Sequence, residues 1–300
     1  MSHNHGSAEN ADLSPAFRWA VALNAGYVAI ELTAGLVTGS LALIADAAHN
    51  LTDVAGLLIA WGASVLATRP PSSRFTYGFG RATILAAFAN AMAILIGVGA
   101  VLWEAVQRFS TPVEVPGLTI LAVALVGIAI NTGTALLFRK SRHGDLNAEG
   151  AFLHMAADAA VSVAVVVAAA GILLTGWVWL DPAVAILVSL IIAWTAFGLL
   201  RASLGLSFDS VPSLIDRLKV VEWLRIRPGV VDVHDLHIWP LSTTKTALTA
   251  HLVMPEGHPG DGFLDEVADA LSHEFSIAHV TLQIELGDRD QCRLQPDEVV

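Results

Sequence analysis

Residues 41–68 read LALIADAAHNLTDVAGLLIAWGASVLAT, a run long enough to cross a bilayer that nonetheless carries Asp46, His49 and Asp53. A spanning helix needs roughly 20 mostly apolar residues, and ionisable groups inside one are costly enough to mark function. Spacings of three and four put these side chains on one helical face. Working outward for other runs bounded by Gly, Pro or charge gives six expected spans: Phe17–Val37, Leu41–Thr68, Ala82–Phe109, Gly117–Phe138, Ala148–Thr175 and Trp177–Leu204. Composition agrees, because 55% hydrophobic and 14% charged residues over 300 positions lie far from globular usage.

Six spans place both termini on one side. Arg18, Arg69, Arg74, Arg81, Arg139, Lys140, Arg142 and Arg201 fall on that side and Arg108 falls opposite, so the shared side is expected to be the cytoplasm. The start, MSHNHGSAENADLSP, lacks the charged and apolar regions of a cleaved signal, and the first apolar run is expected to be retained. A net charge of −11 without a basic run argues against nucleic acid, which is bound through Lys and Arg on phosphates. The single cysteine, Cys292, excludes an internal disulfide.

His154 and Asp158 repeat on the fifth span the four-residue spacing of His49 and Asp53 on the second. Two imidazoles and two carboxylates are the donor set of a four-coordinate Zn²⁺ site. Two plainer readings stay open, an intrahelical hydrogen bond in a packing seam and a proton relay without metal. Duplication on two helices favours metal. Asn24, Asn90 and Asn131 read as interhelical packing, whereas Glu31 reads as a cavity-facing stop for a proton or cation.

The charge changes character at residue 207: residues 1–207 carry a net −2, and residues 208–300 carry −9 with six of the eleven histidines. Helical spacing over Ser213–Ile226, alternating runs at Val230–Trp239 and Thr246–Met254, a second helix over Gly262–Phe275 and a strand at His279–Leu286 give a small two-layer α+β domain. His279 and Glu285, six apart, share a strand face, while His234 and His237, three apart, face opposite ways. His251, His279 and Glu285 with one of that pair make a candidate second metal site. His258 and His273 read as solvated, His3 and His5 as tail residues, and Cys292 as a free thiol rather than a soft ligand.

Four stretches, GSLALIADAAHNLTDV, YGFGRATILAAF, AFLHMAADAAVSV and VVDVHDLHIWPLS, carry a resemblance to the cation diffusion facilitator family, in its zinc-transporting branch with His in helix 2. The resemblance implies a homodimeric Zn²⁺/H⁺ antiporter of the bacterial inner membrane, with six transmembrane helices and a ferredoxin-like, metallochaperone-like cytoplasmic domain. The implied layout is a tail at 1–16, a membrane domain at 17–207, a metal-binding domain at 208–287 and a tail at 288–300. It implies transport by His49, Asp53, His154 and Asp158, a regulatory zinc at His234, His251, His279 and Glu285, and a charge contact between Arg81 and Asp209. Some relatives hold metal between helices 2 and 3, but RPPSSRFTYGFGRA offers no ligand set, and no site is expected there. The His-rich segment of many relatives is reduced to His3, His5 and His143.

The expected function is therefore export of Zn²⁺ from the cytoplasm, with protons moving inward and competing for the same His and Asp groups. The rival from another class is a membrane-anchored metal sensor or scaffold, which has no need of buried charges on two spans. An intramembrane metalloprotease would need the H-E-x-x-H signature, absent here, and no enzyme is expected.

Overall fold

The structure, a computed structural model, describes residues 15–111, 113–138 and 146–287, without the side chains at 15–21, 53–58, 60–61, 137–138 and 146–154. His3, His5, Arg139, Lys140, Arg142, His143 and Cys292 lie outside the described residues. Six long helices come first: α1 (Pro15–Thr38), α2 (Leu41–Ala67), α3 (Ala82–Ser110), α4 (Gly117–Phe138), α5 (Leu146–Thr175) and α6 (Leu180–Ser207). Gly39 and Gly176, both at φ +71°, take the left-handed conformation that ends a helix sharply, so α1 turns into α2 and α5 into α6 within a few residues.

Among the described residues, four stretches are long and apolar enough to cross a membrane: Ala82–Ser110, Gly117–Leu136, Met155–Thr175 and Leu180–Ser207. The expectation of six spans is thus met as six long helices of which four are clear spans. The described part of α1, Ala22–Thr38, is shorter, and α2 is interrupted by side chains outside the description. Leu118, Leu174 and Trp194 are 70%, 87% and 83% exposed. Large apolar residues turned outward in this number suit hydrocarbon rather than water.

The chain forms two compact units, residues up to Leu58 with Asn90–Phe197, and Ile59–Ala89 with the chain from Gly198 onward. Helices α2, α3 and α6 continue from the first into the second, whereas α1, α4 and α5 belong wholly to the first. Inside the first unit, α2 presents Leu43 to a buried cluster with Ile120 and Val165, and Leu41 and Ala45 to another with Val98 and Val188. Gly127 lets α4 approach closely, since a Cβ there would stand 2.1 Å from the Tyr27 hydroxyl.

The start of α2 is held from a distance. The buried Asp181, in the first turn of α6, accepts hydrogen bonds from the Ser40 hydroxyl, from the Leu41 amide at 2.8 Å and from the Ala42 amide at 3.3 Å. A carboxylate on these otherwise orphaned amides also meets the positive end of the helix dipole. The Arg108 guanidinium donates to the Gly39 carbonyl and contacts Glu104 at 3.3 Å, fixing the same turn from α3.

The second unit contains α7 (Arg217–Arg225), β1 (Asp232–Pro240), β2 (Thr246–Val253), α8 (Asp261–Phe275) and β3 (His279–Glu285). Helix α7 starts later than the apolar spacing suggested because the Asp216 carboxylate caps it, accepting from Leu218 and Lys219. The sheet order is β1-β2-β3, with β1 antiparallel and β3 parallel to the central β2. Val220, Leu224, Leu236, Leu248, Leu252 and Leu271 form its buried core with the two helices.

Within this unit the entrance of α3 meets the sheet loop. Arg81 contacts Asp209 at 2.5 Å, the Thr243 amide donates to the Thr83 hydroxyl at 3.0 Å, and a Cβ on Gly80 would stand 2.5 Å from the Leu241 carbonyl oxygen. Both charged side chains are half exposed, so the pair contributes about 0–1 kcal/mol. Its value is positional. Arg81→Asp is expected to impair activity in membrane vesicles and added Asp209→Arg to restore part of it; a double variant no better than the single one would reduce Arg81 to a surface anchor.

Candidate functional site

Helices α2 and α5 bring the first candidate ligands together. The His49 Nε2 atom lies 3.5 Å from Asp158 Oδ1, with Asp158 almost fully buried. Asp53 follows His49 by one turn on α2 and His154 precedes Asp158 by one turn on α5, while both side chains lie outside the described residues. The helices run antiparallel here: three residues before His49, Asp46 accepts from the Ser162 hydroxyl at 3.4 Å, four residues beyond Asp158. A buried imidazole and carboxylate from separate helices can share one cation without distorting either backbone.

The second cluster lies on the sheet. His234 is paired with His251 across β1 and β2, and Glu285 at the end of β3 reaches both rings. Glu285 Oε1 is 3.0 Å from His251 Nδ1, and Oε2 is 3.3 Å from His234 Nε2. Ligand atoms of these three residues all lie within 4.8 Å of one another. His234 is 4% exposed and neither of its ring nitrogens has a hydrogen-bond partner. Buried polar atoms are normally satisfied, so an imidazole left this way fits a metal ligand. Two imidazoles and a carboxylate suit Zn²⁺, with a fourth position left for water or another ligand.

His279, expected in this cluster, is not brought to it within the chain. The parallel register sets His251 opposite Gln283 and His279 opposite Ala247, four residues away and hence about 13 Å along the strand. The face was read correctly and the distance was not. His279 instead meets the Tyr77 ring edge-on at 5.7 Å.

Asp235 was missed by sequence reasoning. It sits at φ 48° in the irregularity between His234 and His237, a left-handed conformation uncommon outside glycine, asparagine and aspartate. From there its carboxylate faces His237 Nε2 at 2.9 Å and His251 Nε2 at 3.3 Å. His237 therefore stands beside the cluster through Asp235 rather than in it. The signal available in the sequence was the acidic residue between two strand histidines.

His49 with Asp158 on two of the long helices, and His234, His251 and Glu285 on the sheet, are two arrangements able to hold a cation, in a chain with helices apolar enough to cross a membrane. Residues 18–206 match the cation efflux transmembrane domain, and residues 212–286 match the cation efflux protein cytoplasmic domain. The chain belongs to the cation efflux, or cation diffusion facilitator, family. It is 37% identical to the zinc transporter ZitB of Escherichia coli over 288 residues, covering 95% of this chain and 92% of that one. Identity is also 37%, over 292 residues and 97% and 91% of the two chains, to the metal cation efflux system protein CzcD of Cupriavidus metallidurans. A cadmium, cobalt and zinc/H⁺-K⁺ antiporter of Bacillus subtilis is 30% identical over 290 residues, 95% and 92% of the chains. A solved structure of the metal-bound C-terminal domain of the CzcD transporter is 40% identical, covering 24% of this chain and all of that one at a TM-score of 0.23.

Proposed function

We propose that the protein exports Zn²⁺ from the cytoplasm across a bacterial inner membrane in exchange for protons, as a homodimer with six spans at 17–207, cytoplasmic termini and a metal-binding domain at 208–287. The observation that carries this reading is the His49–Asp158 contact inside the membrane half of a cation efflux family member. Asp53 and His154, one turn away on the same helices, complete a tetrahedral set with two negative charges against a divalent ion. Protons compete with the metal for those ligands, so exchange follows from the donor chemistry. Purified protein in vesicles with an entrapped zinc dye and an imposed pH gradient should accumulate zinc and dissipate the gradient together. Zinc binding without any flux would favour the sensor or scaffold reading.

His234, His251 and Glu285 would hold a second, regulatory zinc, whose charge offsets part of the net −9 of residues 208–300 and lets two such domains of a dimer approach. Zinc at 100 times its dissociation constant would stabilise a site by about 2.7 kcal/mol. His251→Ala in the full chain should lose the part of the zinc-induced thermal shift that belongs to the sheet. An unchanged shift would remove this cluster from regulation.

A further inference from the structure

Asp46 lies on α2 one turn before His49, and like His49 it meets α5, at Ser162. Glu31 on α1 is 0% exposed and Asp46 1%. The Tyr27 hydroxyl donates to Glu31 Oε1 at 2.7 Å, and the Asn50 amide donates to Glu31 Oε2 at 3.2 Å. The Ser162 hydroxyl donates to Asp46 Oδ2 at 3.4 Å, leaving Asp46 Oδ1 buried and without a partner. Asn50, one turn from Asp46 on α2, reaches Glu31, and the Tyr27 and Ser162 hydroxyls that serve the two carboxyl groups both border Gly127, so Glu31 and Asp46 belong to one buried polar cluster. We propose that the buried Glu31 and Asp46 carboxyl groups together form a proton-binding site separate from the four candidate metal-ligating residues, and that this site carries one of the protons exchanged for metal.

Two neighbouring buried carboxylates in a medium of low dielectric constant resist being ionised together unless a cation is near, so the pair favours holding a proton. No lysine or arginine is present on the described part of α1 or along α2 to neutralise them. Among the described residues, the other charged or titratable groups acting on the pair are Tyr27 from α1, His49 from α2 and Asp158 from α5. From α4, Gly127 packs on the Tyr27 hydroxyl and brings no charge. The ligand is a proton and not a metal ion because Tyr27, Asn50 and Ser162 all present hydrogens to these carboxylates. Such donors suit an acid–carboxylate pair and repel a cation.

The placement gives the site its use. On α2, Asp46 lies one turn from His49, and on α5, Ser162 lies one turn from Asp158. The first displacement leads toward the Gly39 end of α2 and the second toward the Gly176 end of α5, the same direction along the antiparallel pair. Under the transport reading, on which this proposal rests, that is the side from which protons enter. A divalent ion at the candidate ligands, whose His49 lies about one helical turn from Asp46, would favour loss of a proton from the Glu31 and Asp46 pair. The carboxylic O–H bond breaks and the proton passes to water on the cytoplasmic side. After the metal leaves outward, the carboxylate takes a proton from water on the other side. By linkage, the proton weakens metal binding as much as metal weakens proton binding.

The test counts protons on the full-length protein. Zinc added in weakly buffered detergent with a pH dye should release one proton fewer from Glu31→Gln than from the wild type. Asp46→Asn should show the same loss, and the double variant no more than either single one, because the pair holds a single proton. Infrared difference spectra should show zinc removing a protonated carboxylic band in the wild type and none in Glu31→Gln. This keeps the test decisive if either variant fails to fold. Unchanged release in Glu31→Gln, additive loss in the double variant, or no such band in the wild type would overturn the proposal. Absence of zinc flux in vesicles would instead overturn the transport reading, since proton release on binding is read without transport.

Discussion

Zinc flux in vesicles should vanish when Asp158 is replaced by Ala, while the purified protein remains helical and monodisperse. Asp158 is almost fully buried and faces His49 across the α2–α5 contact. On the proposed transport reading, removing it would leave three ligands and one negative charge against a divalent ion in a low-dielectric surrounding. Its loss from a packed helix pair opens space for little more than a carboxyl group, so folding should tolerate it. Asp158→Asn separates charge from shape, since an amide oxygen fills the same space without the negative charge, and flux should stay at least tenfold below the wild type. Wild-type flux in either variant would remove Asp158 from the transport site.

The second large effect belongs to Asp181. Substitution by Ala removes the acceptor of the Ser40 hydroxyl and of the Leu41 and Ala42 amides in one step. A lost helix cap costs about 0.5–2 kcal/mol and each buried donor left unsatisfied about 1–3 kcal/mol, so destabilisation should be on the order of 3 kcal/mol. Thermal unfolding in detergent would read it as a clearly lowered midpoint. Asp181→Asn retains an oxygen that can accept one of these bonds and should recover part of the loss. An Ala variant as stable as the wild type would mean that water satisfies these donors equally well.

The long elements were legible because each rests on local information. The helix ends at Gly39 and Gly176 follow from glycine in apolar runs, and the positions of the strands along the chain from alternating β-branched segments. Within the candidate transport site, the sequence supplied the facing residues through helical periodicity, which holds over many turns. What stayed hidden depends on register or on partners far along the chain. Asp181 caps a helix about 140 residues away, and no local pattern announces such a bond. The irregularity at Asp235 breaks the two-residue alternation from which strand faces are read, and so conceals a carboxylate bridging His237 and His251. Parity placed His279 on a face but carried no information on which β2 residue lies opposite it.

The course of α2 matters for mechanics as well as chemistry. This helix carries His49 and Asp53 and runs on into the unit that holds the sheet, whereas α5, carrying His154 and Asp158, ends within the other unit. The two halves of the ligand set therefore hang from differently tethered rods. A zinc–nitrogen bond near 2.0–2.1 Å tolerates about 0.2 Å of error. A tilt of α2 by a few degrees about its pinned Gly39 end would exceed that at His49, roughly two turns along. On the proposed transport reading, ion capture and ion release would be two settings of one lever, with its fulcrum at the Asp181 cap and its handle in the part of α2 that continues into the second unit.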